Sequence, residues 1–436
     1  MGLQGAETAA WFGRAKAALV SGVSSGFRYV GEDDTMVVSR GQGGYVYDMD
    51  GKRYIDYQLG YGPVILGHGH PAVVAAVSEA AAAGTTFAMT TSTEVIAAER
   101  VKQAVPWVDR LRFTNTGTEA TMHAIRLARG ITDREVIVKF EGAYHGAHDY
   151  VLFTTSSSPA EALGSRRSPV PHQVSSGIPE AIRGYVRTIP FNDLEAAERV
   201  FRSEGGDIAA FLVEPALGNV FGMLPDPGYL EGLRKLCDNS GSILIFDEVK
   251  TGFRVSLGGA AELFGVTPDL STFAKSMGNG FPVAAIAGRD EFVGAWEGGG
   301  IAQAGTYSGN SIATAAVSAT IGELLSGNVH RHINDIGRAL MEGIARSCSD
   351  RGLAAHVIGH PSMFSVYFGE EEPRDFRGVG GHDAELYRRV THAMTRRGVM
   401  PCDDALEPWF VCGAHTRDDV DETLVAFDAA LAEVMD

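Results

Sequence analysis

The chain has 436 residues, 45% of them hydrophobic, enough for one large and one smaller folded domain. Its 54 acidic and 37 basic side chains give a formal charge of −17 at pH 7, which opposes partnership with nucleic acid or an anionic membrane. The four cysteines, Cys237, Cys348, Cys402 and Cys412, form no C-x-x-C, so neither a disulfide framework nor a zinc ribbon is indicated and a cytoplasmic setting is expected.

The first twenty residues lack a basic start followed by an apolar run and read as a short amphipathic helix rather than an address signal. No stretch approaches the ~20 uninterrupted apolar residues needed to span a bilayer. GGYVYDMDGKRYIDYQLG then alternates apolar with polar residues on both sides of Asp50-Gly51, which predicts a hairpin with a two-residue turn. From Pro71 to about Leu325, helical stretches such as PAVVAAVSEAAAA and STEVIAAERVKQAV alternate with the apolar runs RLRFTN, EVIVKF, YVRTI, IAAFLVEP, SILIFDEV and LSTFAK. That alternation predicts an α/β domain whose mostly parallel sheet is covered on both faces. The stretch from Thr154 to Pro179, rich in Ser, Pro and Gly, is too long for a simple connection and reads as a functional loop or lid. SIATAAVSATIGELLS and VHRHINDIGRALMEGIARSCSDR follow as helices, the second a connector. AHVIGH and MFSVYFG read as strands, and two more helices complete a smaller α+β part. The expected division is 1–70 as the N-terminal segment of the small domain, 71–325 as the large domain, and 326–436 as connector helix and C-terminal small domain.

The sharpest chemical constellation lies at two strand ends. In SILIFDEVKTGFR, Asp247 follows an apolar run, and in LSTFAKSMGNGFP, Lys275 does the same. Open α/β sheets bind ligands beyond the carboxyl ends of their strands, so both side chains should face one crevice. Pyridoxal phosphate chemistry needs this pair: a lysine to form an imine and return a proton, and a carboxylate to keep the pyridine nitrogen protonated. Lys16, Lys52, Lys102, Lys235 and Lys250 end no apolar strand, and Lys139 precedes an aromatic still within its strand.

A phosphate cradle is expected where RLRFTN passes through Thr116, Gly117 and Thr118 into an amphipathic helix, since backbone N–H groups at a helix start bind phosphate. QAGTYSGNS offers Gly305 and Thr306 before another helix and could complete that cradle from a partner subunit. In FEGAYHGAHD, Tyr144 suits stacking on a flat heteroaromatic ring with His145 beside it; a turn packed over aromatics is the plainer alternative. The His145/His148 and His68/His70 pairs lack a third ligand at a supporting spacing, so no metal is expected. No Walker loop and no G-x-G-x-x-G after a strand occurs, which removes the main warrants for NTP or nicotinamide chemistry.

At this point the residues resemble the class III aminotransferases and, within them, the glutamate-1-semialdehyde aminomutases. The resemblance rests on DMDGKRYIDY, GPVILGHGHP, RFTNTGTEATMHAIRLAR, FEGAYHGAHD, EPALGN, FDEVKTGFR, FAKSMGNGFP, GTYSGN and GAHTRDDVDETL. It implies a fold-type I homodimer with the active site at the subunit interface. It further implies that Lys275 carries pyridoxal 5'-phosphate as a Schiff base, that Asp247 meets the pyridine nitrogen, and that Gly117 and Thr118 hold phosphate with Thr306 of the second subunit. Tyr144 would stack on the ring, Val249 would pack on its other face, and Glu214 and Asn219 would line the cofactor. Near the substrate it implies Arg28, Tyr61 and Glu407. Three departures concern substrate: S-P-V-R reads S-G-F-R here, S-W-G-P reads G-Y-G-P, with Tyr61 in place of tryptophan, and the Thr154 to Pro179 loop is longer than the resemblance implies.

The resulting expectation is an aminotransferase that moves an amino group from a small-molecule donor to an aldehyde or ketone acceptor, a specialised metabolite or amino-sugar precursor among the candidates. The alternatives are the aminomutase reaction, which returns the nitrogen to the same substrate, and a catalytically silent cofactor-binding partner protein.

Overall fold

The computed structural model describes residues 2–435. The chain opens with a helix, Ala6–Ala18, followed by β1 (Val38–Gln42), β2 (Tyr45–Asp48) and β3 (Arg53–Asp56). The β2–β3 hairpin corrects the expected two-residue turn. Asp48 N–H donates to the Lys52 carbonyl at 3.1 Å, leaving Met49–Gly51 as a three-residue loop with Gly51 at φ 83°. The reason is a second duty for Asp50, whose carboxylate accepts from Glu7 N–H, Thr8 N–H and the Thr8 hydroxyl and so caps the first helix.

The central sheet is built from β4 (Arg110–Thr114), β5 (Val136–Phe140), β8 (Val186–Ile189), β9 (Ile208–Val213), β10 (Ile243–Glu248), β11 (Leu270–Phe273) and β12 (Ala284–Gly288). Between β5 and β8 lies a two-residue hairpin, β6 (Gly164–Ser165) and β7 (Ser168–Pro169). The sheet order is β4-β12-β11-β10-β9-β5-β8, and β12 alone runs antiparallel to its neighbours. β12 carries little strand signal in the sequence, because PVAAIAG follows the MGNGF turn with small residues and little β-branching. Within β10, Leu244 and Phe246 enter the core on one face, with Leu230 and Leu233 of the helix Tyr229–Ser240. Ile243 and Ile245 enter the core on the other, with Ala124 and Ala128 of the helix Gly117–Thr132. Each such burial contributes roughly 1.5–3 kcal/mol, and this parity sends Asp247, two residues after Ile245, to the side of the Gly117 helix.

After the helices Ser311–Leu324 and Asn328–Asp350 come β13 (Ala355–His360), β14 (Met363–Phe368), β15 (Val399–Met400) and β16 (Trp409–Phe410). β15 joins β3 in parallel, so the two ends of the chain share one four-stranded sheet. Arg254, wholly buried, clamps these parts to the central sheet by donating to the carbonyls of Gly62, Ser362 and Val411. The described helices include none long and apolar enough to cross a membrane.

Candidate active site

The carboxyl ends of β5, β9, β10 and β11 converge on one cavity. Its wall includes Gly117, Thr118, Tyr144, Glu214, Asp247 and Lys275, with His145, Asn219 and Val249 also lining it. Asp247 is 4% exposed and held at both oxygens: Oδ1 accepts from Val249 N–H and the Thr272 hydroxyl, and Oδ2 meets His145 Nδ1 at 2.6 Å. A carboxylate only accepts, so His145 carries its proton on Nδ1. The expectation that His145 sits beside a ring is thereby refined: it stands behind Asp247, orienting that carboxylate as an outer partner orients a ligand.

Glu214 organises the next turn. Its carboxylate accepts from Tyr144 N–H at 2.7 Å, from Gly218 N–H at 2.8 Å and from the Asn219 amide. Burial raises its pKa, the nearby His145 and Lys250 opposing that rise. The Tyr144 ring meets Phe27 edge-on at 5.9 Å. Thr116 caps the helix Gly117–Thr132 by accepting from Glu119 N–H, while Glu119 reaches back to Asn115 N–H. Its hydroxyl is thus spent on the cap and stays outside the cavity wall, leaving Gly117 and Thr118 to face inward. A Cβ on Gly117 would lie 3.0 Å from Val249, and one on Gly146 would lie 2.6 Å from the Thr118 hydroxyl, so both glycines keep this helix start open.

Lys275 stands two residues beyond the end of β11 and holds φ 46°, a left-handed conformation that costs a lysine on the order of 1–3 kcal/mol. Ser276 bonds the Gly62 carbonyl at 3.1 Å, and Asn279 bonds Leu66 N–H and the Gly67 carbonyl, which fixes this turn against the GPVILGHGHP segment. Burial first, and the charge of Lys250 second, lower the Lys275 pKa to about 7. A neutral amine at physiological pH is what a nucleophilic lysine requires.

A second cavity adjoins the first through Tyr144, Asn219, Lys250 and Lys275. Its outer wall is Phe27, Tyr61, Leu152, Thr155 and Val174, closed at one end by Glu407. The Tyr61 hydroxyl donates to the Phe27 carbonyl at 2.6 Å, tying these two rings together. The long Ser- and Pro-rich loop therefore does border the site, through Thr155, Ser156, Ser157 and Val174. Arg28 does not reach this chamber; it is exposed and faces a neighbouring cavity that shares Phe27 and Tyr61. Gly305 and Thr306 are likewise exposed and stand apart from the same-chain cavity.

Lys250, dismissed from sequence because it ends no strand, lies in both cavities. Its ammonium donates to Glu407 Oε1 at 2.5 Å and to the Gly218 carbonyl at 2.7 Å. A Cβ on residue 218 would lie 2.5 Å from Lys250 Cδ, so the glycine makes room for this stem. The available signal was its place three residues after Asp247, where the chain turns back under the site. The described residues contain no group of three or more His, Cys, Asp or Glu side chains arranged to hold an ion.

A family model described as aminotransferase class-III matches residues 29–431, and the chain belongs to that family. Glutamate-1-semialdehyde 2,1-aminomutase of Methanothermobacter thermautotrophicus is 41% identical over 422 residues, covering 97% of this chain and 98% of that protein. The protein of that name from Anaeromyxobacter sp. is 39% identical over 426 residues, covering 97% of both. Among solved structures, an omega-transaminase from Sphaerobacter thermophilus superposes with a TM-score of 0.93 at 30% identity, covering 99% of this chain and 98% of its own. A glutamate-1-semialdehyde-aminomutase from Pseudomonas aeruginosa, at 24% identity and a TM-score of 0.88, shares the fold. The chain is a pyridoxal-phosphate-dependent enzyme of fold type I.

Proposed function

We propose that this enzyme moves an amino group from a small-molecule donor to a separate aldehyde or ketone acceptor. The observation that carries this reading is the Lys250–Glu407 pair. Exchange within one substrate must hold a second ammonium in the chamber, and a free carboxylate there would hold it. The Lys250 ammonium binds Glu407 Oε1 and balances its charge, so a second amine entering the chamber meets an ion pair rather than an unpaired carboxylate. The second reading, intramolecular exchange, is favoured by the aminomutase relatives at 39–41% identity.

Pyridoxal 5'-phosphate supplies the electron sink that stabilises a carbanion next to nitrogen. The residues fit it. Gly117 and Thr118 at the helix start would bind its phosphate, Asp247 held by His145 would keep its ring nitrogen protonated, and Tyr144 and Val249 would cover its two faces. Glu214 and Asn219 would border its remaining edge. Lys275 would hold it covalently and, once released, carry the proton between the two carbon positions, since an amine that titrates near pH 7 can both take and give it. Tyr61 and Phe27 exclude water from one side of the substrate chamber, Glu407 and Lys250 set the charge at the other, and Arg28 lies within the adjoining entrance.

The homodimer supplies what one chain lacks. Phe87, Met89 and Tyr307 are exposed apolar residues grouped near Gly305 and Thr306, and the Asn310 amide ties the two segments together by bonding the Thr85 carbonyl. Covering this face with a second copy would bring the partner's Thr306 to the phosphate. The four cysteines are buried and unpaired, in keeping with a cytoplasmic setting. Purified protein given glutamate semialdehyde alone tests the reading: turnover beyond one equivalent without a donor overturns it, while turnover that appears only with a donor supports it.

A further inference from the structure

Lys139 is a buried lysine for which the reaction has no use. It lies in β5 with no exposed surface, between Val138 and Phe140. Its ammonium donates to three carbonyls, Phe140 at 3.1 Å, Ala143 at 3.0 Å and Phe153 at 2.7 Å. An ammonium has three N–H donors and no acceptor, so the count is complete. Space alone does not require a lysine here, for Val136, Ile137, Val138 and Phe140 of the same strand are all apolar.

The three carbonyls belong to two different structures. Phe140 and Ala143 frame the turn that delivers Tyr144 and His145. Phe153 is the last residue before the long loop, which leaves through Thr154 at φ 46°. Thr154 pairs with His172 in both directions, N–H to carbonyl at 2.7 Å and hydroxyl from N–H at 2.9 Å, and its own carbonyl accepts from Gly142 N–H at 2.8 Å. The loop then supplies Thr155, Ser156, Ser157 and Val174 to the substrate chamber.

We propose that Lys139 is a positioning residue that locks the Tyr144–His145 turn to the root of the 154–179 loop, so that the cofactor side and the substrate side of the cavity hold their shape as one unit. The lock is independent of which acceptor is used. The charges facing it are already occupied. Glu141, at the end of its own strand, is held by Arg377 through two bonds of 2.7 Å, and Glu214, at the end of β9, is held by Tyr144, Gly218 and Asn219. β8 sets the uncharged Thr188 beside it, and the loop contributes His172, bonded to the Ser158 hydroxyl. Burial lowers the Lys139 pKa to about 7, so above that pH the amine keeps two N–H groups for three carbonyls and the lock loosens.

Hydrogen–deuterium exchange on the holoenzyme, corrected for the intrinsic pH dependence, tests this directly. Peptides covering 141–145 and 153–158 are expected to lose protection together between pH 6 and pH 8.5. Lys139→Met is expected to show the looser state at both pH values, to release cofactor about tenfold faster and to raise KM for the acceptor more than it lowers kcat. Protection that is equal at both pH values, or loosening of only one segment, overturns the proposal. So does a folded Lys139→Met protein with unchanged cofactor release and KM. If that variant fails to fold, exchange in the unaltered holoenzyme decides alone.

Discussion

The two sides of the cavity are built from different material. The cofactor side stands on the ends of neighbouring strands, where Asp247 is fixed by register and a bond to Thr272, Glu214 by bonds to Tyr144 and Gly218, and the Lys275 turn by the bonds of Ser276 and Asn279 to Gly62, Leu66 and Gly67. The substrate side is assembled from distant pieces: Phe27 and Tyr61 near the start, the 154–179 loop in the middle and Glu407 near the end. Arg254 and Lys250, both on the segment after β10, reach across to hold those pieces in place. A shared sheet edge thus presents one chemistry, while changes in the outer pieces alter what enters.

This division predicts effects of different kind and size. Lys275→Ala removes both the covalent attachment and the proton carrier, and should lower turnover by about 10⁴-fold or more in steady-state assays. Its thermal transition should stay close to that of the parent, because the side chain adjoins open space; an equal loss from any substrate-side variant would erase the distinction. Next is Lys250→Met, which leaves the Glu407 carboxylate without its partner. Breaking a buried pair costs about 3–5 kcal/mol, read by denaturant unfolding of the dimer. Adding Glu407→Leu should recover most of that loss, and a double variant no more stable than the single would show that the pair is not the cause.

The same division decides what was legible in the sequence. Asp247 and Lys275 could be found because an apolar run followed by one charged residue is a local pattern, and the helix start at Gly117 because capping chemistry is local too. The long helices after Pro71, Ser92 and Asn328 were equally plain from their spacing. Lys250 was passed over because its role depends on Glu407, 157 positions away. Lys139 was set aside as a strand residue, since nothing near it announces the Phe153 carbonyl. β12 runs through small residues with little β-branching, and Arg28, which the resemblance put near the substrate, lines the adjoining cavity.

A smaller effect links the two sides through charge. With its pKa lowered to about 7, Lys275 is mostly neutral above that pH and mostly an ammonium, without a free electron pair, below it. The rate at which apoenzyme takes up cofactor covalently should therefore fall about tenfold per pH unit below the inflection and level off above it. Because Lys250 is the second cause of the lowered value, Lys250→Met should move the inflection to higher pH. Stopped-flow absorbance across pH 5.5–9 reads both, and an unchanged inflection in the variant would leave burial as the sole cause.

The smallest effect isolates one hydrogen bond of the substrate side. Tyr61→Phe keeps the ring and removes the donor to the Phe27 carbonyl, a bond worth about 0.5–1.5 kcal/mol. The freed Phe27 segment, already mostly exposed at 62%, should close less often over the chamber. The expected result is a two- to tenfold rise in KM, the same range by the ratio of 1.4 kcal/mol per factor of ten, with the absorbance of the bound cofactor unchanged. A shift in that absorbance would mean that Tyr61 acts through Tyr144, which Phe27 also touches, and the two sides would then be less separate than their construction implies.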